Sequence, residues 1–410
     1  MGRLLNPVYG QQIGGAMRGK QPSVLALILL ATVLSGPALG QGSAFPDPTI
    51  ETYAKVLTRY SLALDRGDKL VIVTNPRAEE LVRAVYREAI RMGANVYVHC
   101  EFPWQEEVLY QNAGDDQLRF LLPIQRFVAE DFDAFLRIDA PTNMRALSEV
   151  DPARISARRA GQREAFETLF RRSSEGELRW CYTLYPTAAL AQEAEMSLGD
   201  FRDFVFRACK LHLPDPADGW RELAELQKRW AAGLRGKNKV ELKGPDIDLT
   251  LSVKDREFII GDGTGNFPSG EIYTSPEEDS ANGWVRFRYP AIFQGQEVED
   301  IELWFEDGRV VREEAAKGKE FLTKLLDTDS GARVLGELGI GTNYDITRFV
   351  KHMLFDEKMG GTIHLAVGAG FPEAGGKNES AIHWDMLCDM SEGEIVVDGE
   401  IFYENGKFVQ

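Results

Sequence analysis

Lys69-Leu70-Val71-Ile72-Val73-Thr74 is a short apolar run, and Ala94-Asn95-Val96-Tyr97-Val98 is a second one. The first fits a buried strand, and the second reads as a further strand. Between them, residues 78–92 place Leu81, Val85, Ala89 and Met92 at helical spacing, and Gly93 stops the pattern. Strand, helix and strand at this pitch predict a parallel sheet covered by helices. Working outward, residues 50–64 read as a helix ended by Gly67, and residues 132–138 as a further strand. Residues 190–211 and 220–230 read as helical.

The composition changes at residues 231–239, a basic, glycine-containing linker. Beyond it, Ile247-Asp248-Leu249-Thr250-Leu251-Ser252-Val253 and Ile301-Glu302-Leu303-Trp304-Phe305 alternate with period two. Asp307-Gly308, Asp398-Gly399 and Asn405-Gly406 are hairpin-turn pairs. Helices are expected at 313–326 and 346–352. The fold class is therefore α/β plus α+β. A parallel-sheet α/β domain spans 46–232, and a β-rich domain, expected to carry the catalysis, spans 238–410. Residues 1–45 stand apart. Arg18 and Lys20 precede an apolar run at 24–34, and small or helix-breaking residues follow up to Gly40. Two readings of this extension stand: a secretory signal over residues 18–40, or upstream sequence translated from a misassigned start. The run is too short to span a bilayer, so no stable membrane span is expected.

The 410-residue chain carries 64 acidic and 47 basic residues, a net charge of −17. That balance argues against nucleic acid or an anionic membrane as the main partner. Cys100, Cys181, Cys209 and Cys388 are far apart and form no C-x-x-C pair, so they read as core residues or free thiols.

Chemistry concentrates in residues 336–385, which hold three of the five histidines. His383-Trp384-Asp385 places an imidazole and a carboxylate two apart, hence on one face of an extended segment. His364 ends Gly360-Gly361-Thr362-Ile363-His364, where paired glycines precede a strand-forming pair. Glu337 lies between Gly336 and Gly339 and is expected in an irregular turn. Glu271 ends Asn266-Phe267-Pro268-Ser269-Gly270-Glu271, read as a loop after a strand. Neutral imidazoles beside carboxylates suit divalent metal, and together these groups predict a two-metal hydrolase. His99, His212 and His352 stand apart and read as packed or solvated.

Competing chemistries fit less well. Gly261-Asp262-Gly263-Thr264-Gly265 follows a strand, but Asn266-Phe267-Pro268 comes next where a phosphate cradle needs a helix start. Ser380, His383 and Asp385 supply the residue types of a serine triad without a G-x-S-x-G elbow. H-E-x-x-H is absent. A glycosidase carboxylate pair stays open, though it leaves both histidines without a role.

At these residues the chain resembles the M29 family of metallo-aminopeptidases, the thermophilic aminopeptidase type. The resemblance rests on residues 266–271 with Thr274-Ser275-Pro276, on 336–343 and 355–364, and on Ser380-Ala381-Ile382-His383-Trp384-Asp385. It runs from about Pro48 to the C-terminus. It implies an α/β domain followed by a β-rich catalytic domain, two divalent metal ions (zinc, cobalt or manganese), peptide substrates, a homodimer and a cytoplasmic location. Export would follow instead if residues 18–40 are a genuine signal. Carried over by position, the resemblance implies metal ligation by Glu271, Glu337, His364, His383 and Asp385, with Glu357 as a further acid. Glu337 is then the bridging ligand, and Glu337 or Glu271 the catalytic base.

One position departs from the family. A tyrosine is usual seven residues after the strand histidine, and here Phe371 stands there. Tyr344 or another donor is expected to substitute. Phe371 also motivates a second reading, a catalytically impaired metal- or peptide-binding protein that keeps the same fold.

Overall fold

Three helices begin with the same dipeptide. Asp47-Pro48, Asp151-Pro152 and Asp215-Pro216 open α1 (Pro48–Val56), α6 (Pro152–Ser174) and α9 (Pro216–Leu234). In each, the aspartate carboxylate accepts a backbone N–H of the first turn, and proline occupies a position whose own N–H would be unused. The computed structural model describes residues 47–293 and 295–409. The signal-like extension lies outside the described residues. Among the described residues no helix is long and apolar enough to cross a membrane.

The expected parallel sheet is present. β1 (Lys69–Thr74) pairs in parallel with β2 (Asn95–Cys100) and β3 (Ala134–Asp139), and β3 pairs with β4 (Arg179–Leu184). α2 (Glu79–Met92) links β1 to β2 and ends at Gly93, whose φ of 89° caps it in the left-handed region. Helices Trp104–Asn112, Asp115–Leu118 and Pro123–Asp131 (α3 to α5) precede β3, while Ala188–Glu193 and Leu198–Ala208 (α7, α8) follow β4. The continuous helix expected at 190–211 is thus broken in two. One face of this sheet packs Leu70, Ile72, Leu136 and Ile138 against α1, α2 and α8. Residues beyond the linker enter the same core: Ile346, Val350, Leu354 and Phe355, the last with its ring 5.5 Å from Phe204.

β8 (Asn266–Phe267) adds a fifth parallel strand beside β4, and the other strands beyond the linker are antiparallel. β5 (Lys239–Gly244), β6 (Ile247–Ser252), β10 (Asn282–Phe287), β11 (Ala291–Phe293), β12 (Gln296–Glu306), β13 (Arg309–Lys317) and β17 to β19 (Glu394–Val397, Glu400–Glu404, Lys407–Phe408) form one sheet. A smaller one has the order β16 (His383–Asp389), β15 (Thr362–Gly368), β14 (Leu335–Gly341), β9 (Glu271–Thr274), β7 (Ile259–Ile260). The two antiparallel sheets share a core that includes Leu249, Val285, Leu303, Ile340, Leu365 and Trp384. All three predicted turn pairs have both residues at positive φ, as a two-residue hairpin turn requires. The four cysteines are free.

Two expected helices are corrected. Residues 313–317 of the predicted 313–326 helix belong to β13 and run beside β12, because the Asp307-Gly308 turn returns the chain along that strand. Helix begins only at α10 (Lys319–Leu326), after Gly318. Cross-strand pairing thus overrides the helical preference of Glu313, Glu314 and Ala315. Residues 346–352 are not helical. The buried Asp356 carboxylate accepts the backbone N–H groups of Val350 and His352 at 2.8 and 2.7 Å. That bonding holds the segment irregular until α11 (Met353–Asp356).

Candidate metal centre

The smaller antiparallel sheet presents two chemically distinct faces. Ile272, Leu338, Ile340, Ile363, Leu365, Val367, Trp384 and Met386 alternate onto one face and are buried in the sheet-on-sheet core. The register sends Glu271, Glu337, His364, His383 and Asp385 to the other. Glu271 opposes Gly341, His364 opposes Gly339, Asp385 opposes Ala366 and His383 opposes Gly368. The small residues between the donors leave them room to converge.

Glu337 reaches this face through a β-bulge. Leu335 opposes Val367, yet Glu337 opposes Ala366, so Gly336 is an extra residue on β14. In a regular strand Leu335 and Glu337, two residues apart, would share a face, and the carboxylate would follow Leu335 into the apolar core. The irregular turn expected here is therefore a bulged strand. Glu271, expected in a loop, is the first residue of β9. Gly270, with φ of 121°, lets that strand approach Asn343, where a Cβ would fall 2.6 Å from the asparagine Cβ.

The donors form two groups with one common member. Glu271, Glu337 and His364 make one, and Glu337, His383 and Asp385 the other, with ligand atoms in each within 4.8 Å of one another. Glu337 Oε1 lies 3.3 Å from His364 Nε2, and its Oε2 lies 3.0 Å from His383 Nε2. Glu271 Oε2 is 3.5 Å from His364 Nε2, and Asp385 Oδ1 is 3.4 Å from His383 Nε2. His383 Nδ1 is 2.8 Å from the Ala369 carbonyl, a bond that takes the ring proton there and turns Nε2 to the acids.

Two buried carboxylates and the partly buried Asp385, so close together, need countercharge. Burial opposes protonation of both imidazoles. The carboxylates overcome it, Glu337 first for His364, raised to about 10, and Asp385 first for His383, raised to about 12. Burial likewise opposes ionisation of Glu337, but hydrogen bonds from His364 and His383 bring its carboxyl down to about 2. Burial dominates at Glu271 and raises it to about 7. Buried Asp385 Oδ1 and His364 Nδ1 have no hydrogen-bond partner among the described residues. An oxygen- and nitrogen-rich set with unpartnered buried atoms fits divalent cations, which would supply the charge that two imidazole protons supply here.

Glu357 belongs to neither group. Its carboxylate pairs with Lys358, whose ammonium is fully buried and also lies 3.4 Å from Glu271 Oε1. Tyr344 is committed elsewhere, donating its hydroxyl to the Gly406 carbonyl at 2.9 Å. Phe371 packs its ring 4.9 Å from that of His383.

The sequence model described as Thermophilic metalloprotease (M29) matches residues 46–408. The chain belongs to the M29 family. Aminopeptidase 2 of Geobacillus stearothermophilus is 28% identical to it, over 85% of this chain and 93% of that protein. Aminopeptidase T of Thermus thermophilus is 25% identical, over 87% and 95%. Among solved structures, wild-type AmpT from Thermus thermophilus superposes with a TM-score of 0.76 at 23% identity, covering 88% of this chain and 99% of that one. That likeness establishes a shared fold. This M29 chain is thus a peptide hydrolase of mixed architecture, with one parallel and two antiparallel sheets.

Supporting residues in this M29 chain escaped the sequence reading. Gln227 on α9 reaches the carbonyls of Gly261 and Glu271 and the Thr342 hydroxyl, which holds β9 in place. Asn343 donates to the carbonyls of Ala208 and Ser269. Lys358 sits in the 355–364 stretch directly after Asp356 and Glu357. Gly339 is tightly constrained, since a Cβ there would lie 1.9 Å from the His364 ring. Gly339→Ala is therefore expected to displace that imidazole. The cost should be about 1–3 kcal/mol of stability and on the order of 10²-fold in kcat/KM. Urea unfolding and steady-state kinetics check this, and a variant with unchanged kinetics would remove His364 from the site.

Proposed function

We propose that this M29 chain is an aminopeptidase that removes N-terminal residues from peptides with the help of two divalent cations (zinc, cobalt or manganese). The observation that carries the reading is the sharing of Glu337, one oxygen turned toward each donor group. Glu271, Glu337 and His364 would hold one ion, and Glu337, His383 and Asp385 the other. When bound, such ions polarise the scissile carbonyl and lower the pKa of a water toward about 7.

The chain's own residues perform the rest. A carboxylate oxygen of Glu337 or Glu271 accepts the proton of the attacking water and returns it to the leaving amine. The Ala369 carbonyl keeps the His383 ring oriented throughout. The concentration of carboxylates favours a substrate that brings a free α-amine, and acetylation removes both its charge and its basic lone pair.

The test is hydrolysis of a panel of amino-acyl amides after chelation and after metal is restored. Activity should vanish and return, and N-acetylated peptides should remain intact. Metal-loaded protein that turns over none of the amides would favour the impaired binder that Phe371 suggests. Cleavage of acetylated peptides would point to a different proteolytic activity.

Loading is also expected to release protons. His364 and His383 hold theirs at pH 7, since both are raised well above it, to about 10 and about 12. Ligating imidazoles must be neutral, so apparent affinity should rise with pH across the neutral range. Calorimetric titration in two buffers of different ionisation enthalpy measures the count. A metal uptake that releases no proton would show that these imidazoles are already neutral before loading.

A further inference from the structure

β9 brings a phenol to the donor face that no step above uses. Tyr273 lies two residues beyond Glu271 on the same side of the strand and opposes Gly339, whose other neighbour across the sheet is His364. With no side chain on Gly339, the His364 ring lies over that residue's backbone, and Tyr273 stands opposite it on the other neighbouring strand. The Tyr273 ring meets Phe371 edge-on at 5.1 Å, and Phe371 in turn packs against His383. Tyr273 and Phe371 thus form an aromatic wall beside the donor cluster.

Hydrolysis of an amide builds negative charge on the carbonyl oxygen, and a ring of carboxylates offers that charge no hydrogen bond. The nearby donors are already spent. His383 gives its Nδ1 proton to Ala369, Lys358 is held by Glu357 and Glu271, and Tyr344 bonds Gly406. Tyr53, Tyr60, Tyr182 and Tyr185 likewise use their hydroxyls within the fold. The half-buried Tyr273 hydroxyl has no such partner among the described residues. A phenol, with an ordinary pKa of about 10, is protonated at neutral pH and can donate.

We infer that Tyr273 is a catalytic residue, donating a hydrogen bond to the scissile carbonyl oxygen as it gains charge and keeping its own proton. The inference rests on the aminopeptidase reading for the identity of that carbonyl. It assigns the role to the residue whose hydroxyl is both free and on the donor face.

Tyr273→Phe removes one oxygen and keeps the ring packing. Metal content and thermal midpoint should match wild type, while kcat on amino-acyl amides falls on the order of 10²–10³-fold with KM little changed. Affinity for a phosphinic dipeptide analogue, which carries a tetrahedral anionic centre, should fall by a similar factor, and affinity for the free product amino acid should not. Adding Phe371→Tyr to that variant moves the hydroxyl to the adjoining ring and should recover part of the loss. Equal analogue affinity in Tyr273→Phe and wild type overturns the inference, even in an active aminopeptidase. So does a loss of kcat that tracks lost metal. A wild type that cleaves no amide instead overturns the aminopeptidase reading, and the ratio of analogue affinities still decides the role of Tyr273.

Discussion

Glu337→Gln is expected to leave the fold intact and to abolish most of the hydrolysis. Glu337 is buried, at 4% exposure, and each of its oxygens faces a different histidine. Glutamine matches it in size, so packing in β14 is kept. The substitution removes the charge and turns one oxygen into an NH2 group that can neither accept a proton nor ligate a cation. Loss of a general base alone lowers turnover on the order of 10²–10⁴-fold, and weakened metal binding adds to it. The variant should therefore retain fewer metal ions per chain by emission spectroscopy, with kcat/KM reduced by at least that factor. Wild-type kcat/KM with full metal content would remove Glu337 from the centre of the mechanism.

Lys358→Met should produce the largest loss of stability. The lysine is fully buried, pairs with Glu357 and lies 3.4 Å from Glu271 Oε1. Its removal strands two carboxylates in a site that burial already makes hostile to charge, a change that typically costs about 3–5 kcal/mol. Methionine preserves most of the volume, so the electrostatic loss is isolated from a cavity. The sign with pH can be stated. Burial opposes the ammonium, but Glu271 and Glu357 overcome it and raise the Lys358 pKa above the ordinary lysine value. Its stabilisation is therefore fully present below about pH 10.4 and fades only above that. The deficit of the variant should accordingly not be relieved on the lysine side anywhere between pH 6 and 9. Urea unfolding across that range measures it, and an unshifted midpoint would show that the buried ammonium contributes nothing.

Much of the fold was legible because its signals are local. The apolar run at 69–74 is a strand of the same bounds in the structure, and Gly93 stops its helix as read. The three turn pairs close hairpins because aspartate and asparagine followed by glycine tolerate positive φ. Asp151-Pro152 and Asp215-Pro216 open α6 and α9 by the same local cap. The failures arose where a distant partner outweighs local preference. Residues 313–317 look helical alone and become strand once β12 lies beside them. Segment 346–352 loses its helix to the Asp356 carboxylate.

The sequence by itself determined the inventory: alternating strands, capped helices, tight turns, and the acids and imidazoles available for a centre. His383 and Asp385 were even assignable to one face, since two residues of an extended chain suffice to decide it. Only the tertiary structure decided which of the other acids join them. Glu271 and Glu337 meet because β9 and β14 pair in one register, and the bulge at Gly336 lets Glu337 face the donors while Leu335 faces the core. Glu357, close by in sequence to His364, is instead paired with Lys358. The physical reason is reach. Backbone propensity and side-chain periodicity act over a few residues, whereas strand register and bulges are set by packing and hydrogen bonds between segments far apart in the chain.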